Sequence, residues 1–532
     1  MLRWCEFAVA GLLTLLVLFS HIRFCQSAGP LWRDEVCSFH VATIPTLKRG
    51  WDLLAFENQP VVHYLVLRGW CALGFGATDL GLRVLGLIIS FLLVSALWIS
   101  GWIFNRSAPL LPLALFALNK YTLRADSLRP HGLALVWITL AFAFIWQLTF
   151  QPRRTRTVIL ATTAAVLSVQ TVFLNAFLLG AICAGSIAVL AVKKAWQTAA
   201  WIFGIGFIAA LSLLPYVPMI IKAQQWNSIR AADHTVGYIA RLFVWTLTTN
   251  NPIAGGVCLV LVAASLAAIV VLCLGRGGTG RAGETGGHFL FAAMASVSAI
   301  VWTIGFLWVL KFPMQDRYFL PPIAVMALSG GVLAAALRSW IVPRLATLLA
   351  SVSLAAAFCH SSFDYTKMRL TNCDVAAAAV AEIAEPNDAI ILTRFAYGIT
   401  FQRYYRGSVA WHGIPDISDY SLFRWDLVKD SMMQPDPMHE VLVRVEVALR
   451  SGHRVFLVGQ WEPFPTAQPR PLAPAPLTRY GWKLESYLTN WREQVTYFIG
   501  QHARDGRDVP LPEKEQISPA EKLSLYVASG WH

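Results

Sequence analysis

Charge is what this chain has least of. Only 14% of its 532 residues are Asp, Glu, Lys or Arg, against roughly 25% in a soluble globular domain. That shortage excludes a surface that faces water all round. The nine cysteines include no C-x-x-C pair, which removes the usual zinc and thioredoxin-like spacings. There is no internal repeat and no extended low-complexity tract, so solenoids and disordered tails are excluded as well. What is present is apolar: 56% of the residues are hydrophobic and the mean hydropathy is +0.54.

Runs of about 20 apolar residues, the length a membrane-crossing helix needs, recur from Leu2 to Cys359. They fall at 7–24, 80–104, 108–121, 132–150, 157–173, 175–192, 198–221, 253–274, 288–310, 318–337 and 341–359, predicting a polytopic α-helical membrane protein with about 11 transmembrane helices. With the N-terminus cytoplasmic, Arg106, Arg153, Arg154, Arg156, Lys193, Lys194, Arg276, Arg281, Arg338 and Arg344 all fall in inner loops. Membrane proteins gather Lys and Arg in such loops. The net charge of +13 is thereby explained without nucleic acid. Cys25 with Cys37, and Cys359 with Cys373, are spaced to allow disulfides in an oxidising compartment, although spacing does not fix geometry.

After about residue 360 the composition changes. A helix over 375–383, a buried-strand pattern at Ala389–Leu392, a helix over His439–Arg450 and a second strand at Arg454–Val458 predict a small α/β domain. The expected division is 1–360 for the membrane part and 361–532 for an extracytoplasmic C-terminal domain. The aromatic run Phe395, Tyr397, Phe401, Tyr404 and Tyr405 reads as the packed face of a helix, with sugar or peptide binding as the alternative.

Two features carry chemistry. The first outer loop, 25–60, holds adjacent carboxylates at Asp34 and Glu35 between short juxtamembrane helices broken at Pro45. Neighbours on a helix point about 100° apart, so these two carboxylates have different tasks. The second feature is a set of cations in outer loops, against the charge rule: Lys120, Arg124 and Arg129, then Lys311 and Arg317. Lys120 and Arg124 share a helix face at four-residue spacing. Each cation can snorkel to lipid headgroups or pair with Asp126 or Asp316. As a set at one membrane face they suit a phosphate, which guanidinium groups bind bidentately. A carboxylate base beside such cations fits attack on a carbon that bears a phosphate leaving group.

At these residues the chain resembles the GT-C class of membrane glycosyltransferases. Within it the chain is similar to the bacterial relatives of dolichyl-phosphate-mannose–protein mannosyltransferases and of lipid A aminoarabinose transferases. Trp32–Glu35 matches the family's Asp-Glu in the first outer loop. Gln59–Tyr64 is similar to its His-Pro-Pro-Leu-Tyr-Tyr stretch, with Gln59, Val61 and His63 as departures. Ser127–Leu133 resembles its Arg-Pro-Tyr-x-Leu start of a span, with His131 in place of Tyr. Asp316–Pro321 resembles its Arg-Tyr-x-x-Pro start of a late span.

The resemblance implies inverting transfer of a sugar from a polyprenyl-phosphate carrier to a lipid, glycan or protein acceptor, in the bacterial inner membrane. Asp34 is then the general base, and Glu35 supports the acceptor or the loop. Lys120, Arg124, Arg129, Arg317 and Tyr318 are the expected donor-phosphate residues. Gln59, His63, Tyr64 and His131 are expected to shape the substrate pocket, with His63 either a proton carrier or a hydrogen-bonding ring. No metal or other cofactor is expected for the chemistry, and a divalent ion at Asp34 and Glu35 is the alternative. A transporter or flippase for lipid-linked sugars, or a non-catalytic binding protein for them, is the competing class.

Overall fold

A computed structural model of the chain describes residues 1–532 except 126, 152, 233, 261, 264–280, 312, 477–482 and 513–514, with the backbone alone at 124, 125, 227, 228 and 281–284. Among the described residues, eight helices are long and apolar enough to cross a membrane. They correspond to eight of the eleven expected runs. The chain is a polytopic helical membrane protein with a small sheet near its C-terminus.

The other three runs differ for separate reasons. At 108–121 the chain forms a short π-helix, Pro112–Ala117, whose six side chains are all buried. This run is apolar because it lies inside the bundle, and it ends in the six-residue helix α6 (Lys120–Ala125). At 157–173 the helix is Thr155–Val169, apolar but only 15 residues long. The run at 253–274 lies largely outside the described residues.

The first stretch after α1 (Leu2–Ser27) folds as expected into two short helices, α2 (Arg33–Thr43) and α3 (Leu47–Glu57), parted at Pro45. Thr46 caps α3 by accepting from the Arg49 amide, and Asn58 ends it with φ 55°. A left-handed residue at a helix end is a common stop, and Asn tolerates it. Helix α4 (Val62–Trp70) follows. Next comes α5 (Asp79–Ile103), started by Thr78, whose hydroxyl accepts from the Gly81 amide. Pro130 occupies the first turn of α7 (Pro130–Phe150), where its missing N–H costs nothing. Farther along, Arg281–Val309 packs along Asn175–Val192, and Leu320–Ala336 along Arg281–Val309.

The C-terminal part contains a five-stranded sheet in the order β2-β1-β3-β5-β4. Strands β1 (Ala389–Leu392), β2 (Trp411–Gly413) and β3 (Arg454–Gly459) are parallel, as crossover helices require. Strands β4 (Ala503–Val509) and β5 (Ser524–Trp531) close it antiparallel. The two expected strands are β1 and β3. Strand β4 escapes a hydrophobic pattern because it is a charged edge, Ala-Arg-Asp-Gly-Arg-Asp-Val, the kind of edge that resists further pairing. Phe395, Tyr397 and Phe401 are buried, the packed face expected of the aromatic run, while Tyr404 and Tyr405 are half-buried. All eight described cysteines are free thiols, both expected pairs included.

Candidate active site

Helix α2 brings Asp34 to the wall of a cavity of about 700 Å³. Trp32 stands at the N-cap, and the Glu35 side chain reaches back to accept from its backbone N–H at 3.2 Å. This one-way cap, with the Glu35 amide donating to the Trp32 carbonyl at 2.8 Å, fixes the first turn. It also turns Asp34 and Glu35 to different sides.

The Asp34 carboxylate is buried and faces cations. Arg317 Nη1 donates to Oδ2 at 3.0 Å, and Arg33 Nε lies 3.9 Å from Oδ1. Arg129 Nη1 donates to the Asp34 carbonyl at 2.9 Å, to Ser38 Oγ at 3.3 Å and to Glu57 Oε2 at 2.8 Å. Tyr64 donates to the same Glu57 oxygen at 3.0 Å. Burial pushes the Asp34 pKa up, but Arg129, Arg317 and Arg33 outweigh it and hold the carboxyl well below its ordinary range. Asp34 is therefore ionised at neutral pH. Arg129 is likewise held as a cation: burial opposes its charge, and Glu57 and Asp34 more than restore it.

Glu35 is on the other side. Arg83 clamps both of its oxygens at 2.9 Å, and the Leu128 amide donates to Oε1 at 3.0 Å. Glu35 is fully buried and does not line the cavity. Of the two roles expected for it, acceptor or loop, its lone pairs are committed to the loop, and the expectation of a direct part in the chemistry is corrected. The same commitment prevents it from joining Asp34 around a divalent ion. Among the described residues no group of three His, Cys, Asp or Glu side chains is placed to hold a metal.

Of the other expected residues, Arg129, His131, Arg317, Tyr318 and Gln59 line the cavity with Asp34. Arg129 Nε, Arg317 Nε, His131 Nε2 and Gln59 Oε1 are buried and make no hydrogen bond to described residues. Buried polar atoms of this kind are normally satisfied, so the wall is built to receive polar groups.

Three expectations on placement are corrected. Lys120 does not reach the cavity; its ammonium lies 5.1 Å from the Tyr121 ring centroid, where Asn119 ties the start of α6 to the Thr246 carbonyl at 2.8 Å. His63 and Tyr64 also stand behind the wall. Burial pushes the His63 imidazole down to about 3, and Arg129 adds to this. That shift favours the neutral ring. The Arg124 side chain and Asp126 lie outside the described residues.

The cavity has a second wall, of which sequence reading singled out Phe395 alone. Arg394, Phe395, Trp425, Lys483 and Glu485 from the C-terminal part line it, together with Arg230. Arg394 pairs with Glu485, and the Arg230 guanidinium sits 4.5 Å from the Trp425 ring centroid. Apart from Phe395, nothing in their local sequence marks these residues, because the docking of the C-terminal part creates the wall. Glu57 carried a faint signal. A carboxylate at a helix C-terminus opposes the helix dipole, and such a placement needs a partner like Arg129.

No protein-family model matches the chain, and no curated protein does. Solved structures similar to it include two of ArnT. ArnT from Cupriavidus metallidurans in the apo state aligns with a TM-score of 0.50 at 11% identity, over 85% of this chain and 93% of that one. ArnT from the same organism bound to undecaprenyl phosphate aligns with a TM-score of 0.49 at 12% identity, over 84% and 93%. The apo structure shares the polytopic GT-C-like fold. Identity this low carries the fold and no activity.

Proposed function

We propose that this GT-C-like chain is an inverting glycosyltransferase, moving a sugar from a polyprenyl-phosphate carrier to an acceptor on the extracytoplasmic face of the membrane. The observation that carries the reading is Asp34: an ionised carboxylate in the wall of a polar cavity, with Arg317, Arg33 and Arg129 around it. The acceptor hydroxyl attacks the anomeric carbon and its proton passes to Asp34. The bond from that carbon to the phosphate oxygen breaks, and the carrier phosphate leaves against Arg317 and Arg129. A carboxylate held so low is a weak base while Arg317 is bonded to it. A phosphate that draws Arg317 away restores basicity at the moment it is needed.

Tyr318, His131 and Gln59 contribute polar contacts to the bound sugar phosphate, and the chemistry runs without a metal. Residues 1–360 form the transferase unit, with the N-terminus cytoplasmic. Residues 361–532 form an extracytoplasmic unit that approaches the acceptor through the Arg394 and Trp425 wall. The membrane is a bacterial inner membrane. The sequence motifs support a place beside the bacterial relatives of the protein mannosyltransferases and lipid A aminoarabinose transferases.

The test is a panel of radiolabelled polyprenyl-phosphate sugars, hexosyl and pentosyl, given to the purified protein with a crude membrane acceptor fraction. Label transfer from at least one donor supports the reading. Binding of carriers with transfer from none would overturn it in favour of a lipid-linked-sugar transporter or binding protein.

A further inference from the structure

The cavity is not the only place where the C-terminal part meets α2. It grips this helix at both ends. At the far end His40 Nδ1 donates to the Ser421 carbonyl at 2.6 Å. Just before the near end, the Leu31 amide donates to the Tyr404 hydroxyl at 2.7 Å, and Tyr404 donates onward to Asp79 at 2.6 Å. Within the first turn itself sits a carboxylate that the proposed reaction does not use. Glu521 is fully buried. Its Oε2 accepts from the Arg33 amide at 3.1 Å, across 488 residues of sequence, and its Oε1 accepts from the Thr400 hydroxyl at 2.7 Å.

The Arg33 amide is one of the free N–H groups at a helix start, which need an acceptor. Glu35 serves the Trp32 amide. Glu521 serves the next one, and the residue after that is Asp34.

We propose that Glu521 is a positioning residue for Asp34, holding the first turn of α2 in the pose that aims the Asp34 carboxylate into the cavity. The inference rests on the reading of Asp34 as the base. It makes the tail of the chain, the turn between β4 and β5, part of the active site's support.

The contact is also sensitive to pH. The titratable and charged groups facing Glu521 are Arg33 and Asp34 from α2, Tyr397 from Phe395–Tyr404, and Cys373 from Cys373–Ile383. Lys522 adjoins it in sequence. Burial raises the Glu521 carboxyl to about 7, against the opposing pull of Arg33 and Thr400. Above that pH Glu521 is an anion whose burial cost its bonds to the Arg33 amide and Thr400 do not offset, so ionisation loosens the docked pose. Below it Glu521 is neutral and holds the turn without that cost. Transfer by the wild type then falls as pH rises through about 7, while Asp34 stays ionised on both sides.

The test uses the full chain in lipid nanodiscs with Glu521→Gln and Glu521→Ala. Hydrogen exchange across residues 33–36 reports the pose directly: the Ala variant exchanges faster by about tenfold, the loss of one buried hydrogen bond, and the Gln variant stays near wild type. In transfer assays the Ala variant loses kcat with unchanged carrier affinity. The Gln variant loses the wild type's fall near pH 7 and runs at the low-pH rate throughout. Melting curves give an arm independent of activity and of the Ala variant's folding. The burial cost of the Glu521 anion grows from pH 4.5 to about 7, so Glu521→Gln gains stability over wild type at pH 8 relative to pH 5. Unchanged exchange in a folded Ala variant would overturn the proposal, as would a pH-independent difference between the Gln variant and wild type. If no donor supports transfer by the wild type, the transferase reading fails, and exchange and melting still decide the role of Glu521.

Discussion

Asp34 and Glu35 share a peptide bond, and their side chains end in opposite settings. Asp34 opens on a cavity whose cations have hydrogen-bonding capacity to spare. Glu35 is sealed between Arg83, the Leu128 amide and the Trp32 amide. One helix turn thus separates a carboxylate available for chemistry from one consumed by structure. The difference lies in how completely each is satisfied, since both are buried and both are paired with arginine.

Substitution at each position should break the pair apart. Asp34→Asn is expected to lower transfer by about 10²–10⁴-fold, the usual worth of a general base, with a fall in melting temperature from the lost pairing with Arg317 that is smaller than at Glu35. Glu35→Ala should do the reverse, leaving Arg83 buried without a partner at a cost of about 3–5 kcal/mol. Chemical or thermal unfolding checks it, with lower yield of folded protein as the first sign. Arg317→Gln comes next, with a loss of about 10²–10³-fold in kcat if it stabilises the departing phosphate; steady-state kinetics against donor concentration would read it.

The pH dependence sharpens the contrast further. Because its neighbours depress the folded-state pKa of Asp34, the stability it contributes is complete above its unfolded value of about 3.9. That contribution is lost only as the pH falls through the lower folded value. A loss of activity as the pH rises through about 7 therefore comes from another group, and Glu521 is the one placed to cause it. The smallest effect is expected at Lys120. Lys120→Ala should leave transfer unchanged and shift stability by no more than about 0.5 kcal/mol, in contrast to Arg129 and Arg317, with which it was grouped.

That grouping shows what the sequence can and cannot carry. Arg129 and Arg317 were legible because each is a cation beside a Pro-marked span start, on the side where the charge rule expects few. Lys120 obeyed the same rule and failed, since a rule about membrane faces says nothing of where on the face a side chain points. The run at 108–121 failed alongside it: apolar composition does not distinguish a lipid-facing span from a segment such as Pro112–Ala117 sunk inside the bundle. Asp34 and the break at Pro45 are local features and were readable locally. Arg230, Arg394, Trp425 and Glu521 reach the site only through docking between parts of the chain hundreds of residues apart, and no local pattern encodes that.

The central claim is that Asp34 accepts a proton and is not simply an anchor for arginine. The measurement that tests it most directly compares wild type and Asp34→Asn in two assays on the same preparation, carrier binding and label transfer from the best donor. The account predicts that the variant binds the carrier as tightly as wild type, or more tightly because Arg317 is released, and transfers almost no label. Transfer at the wild-type rate by a folded Asp34→Asn protein would contradict it.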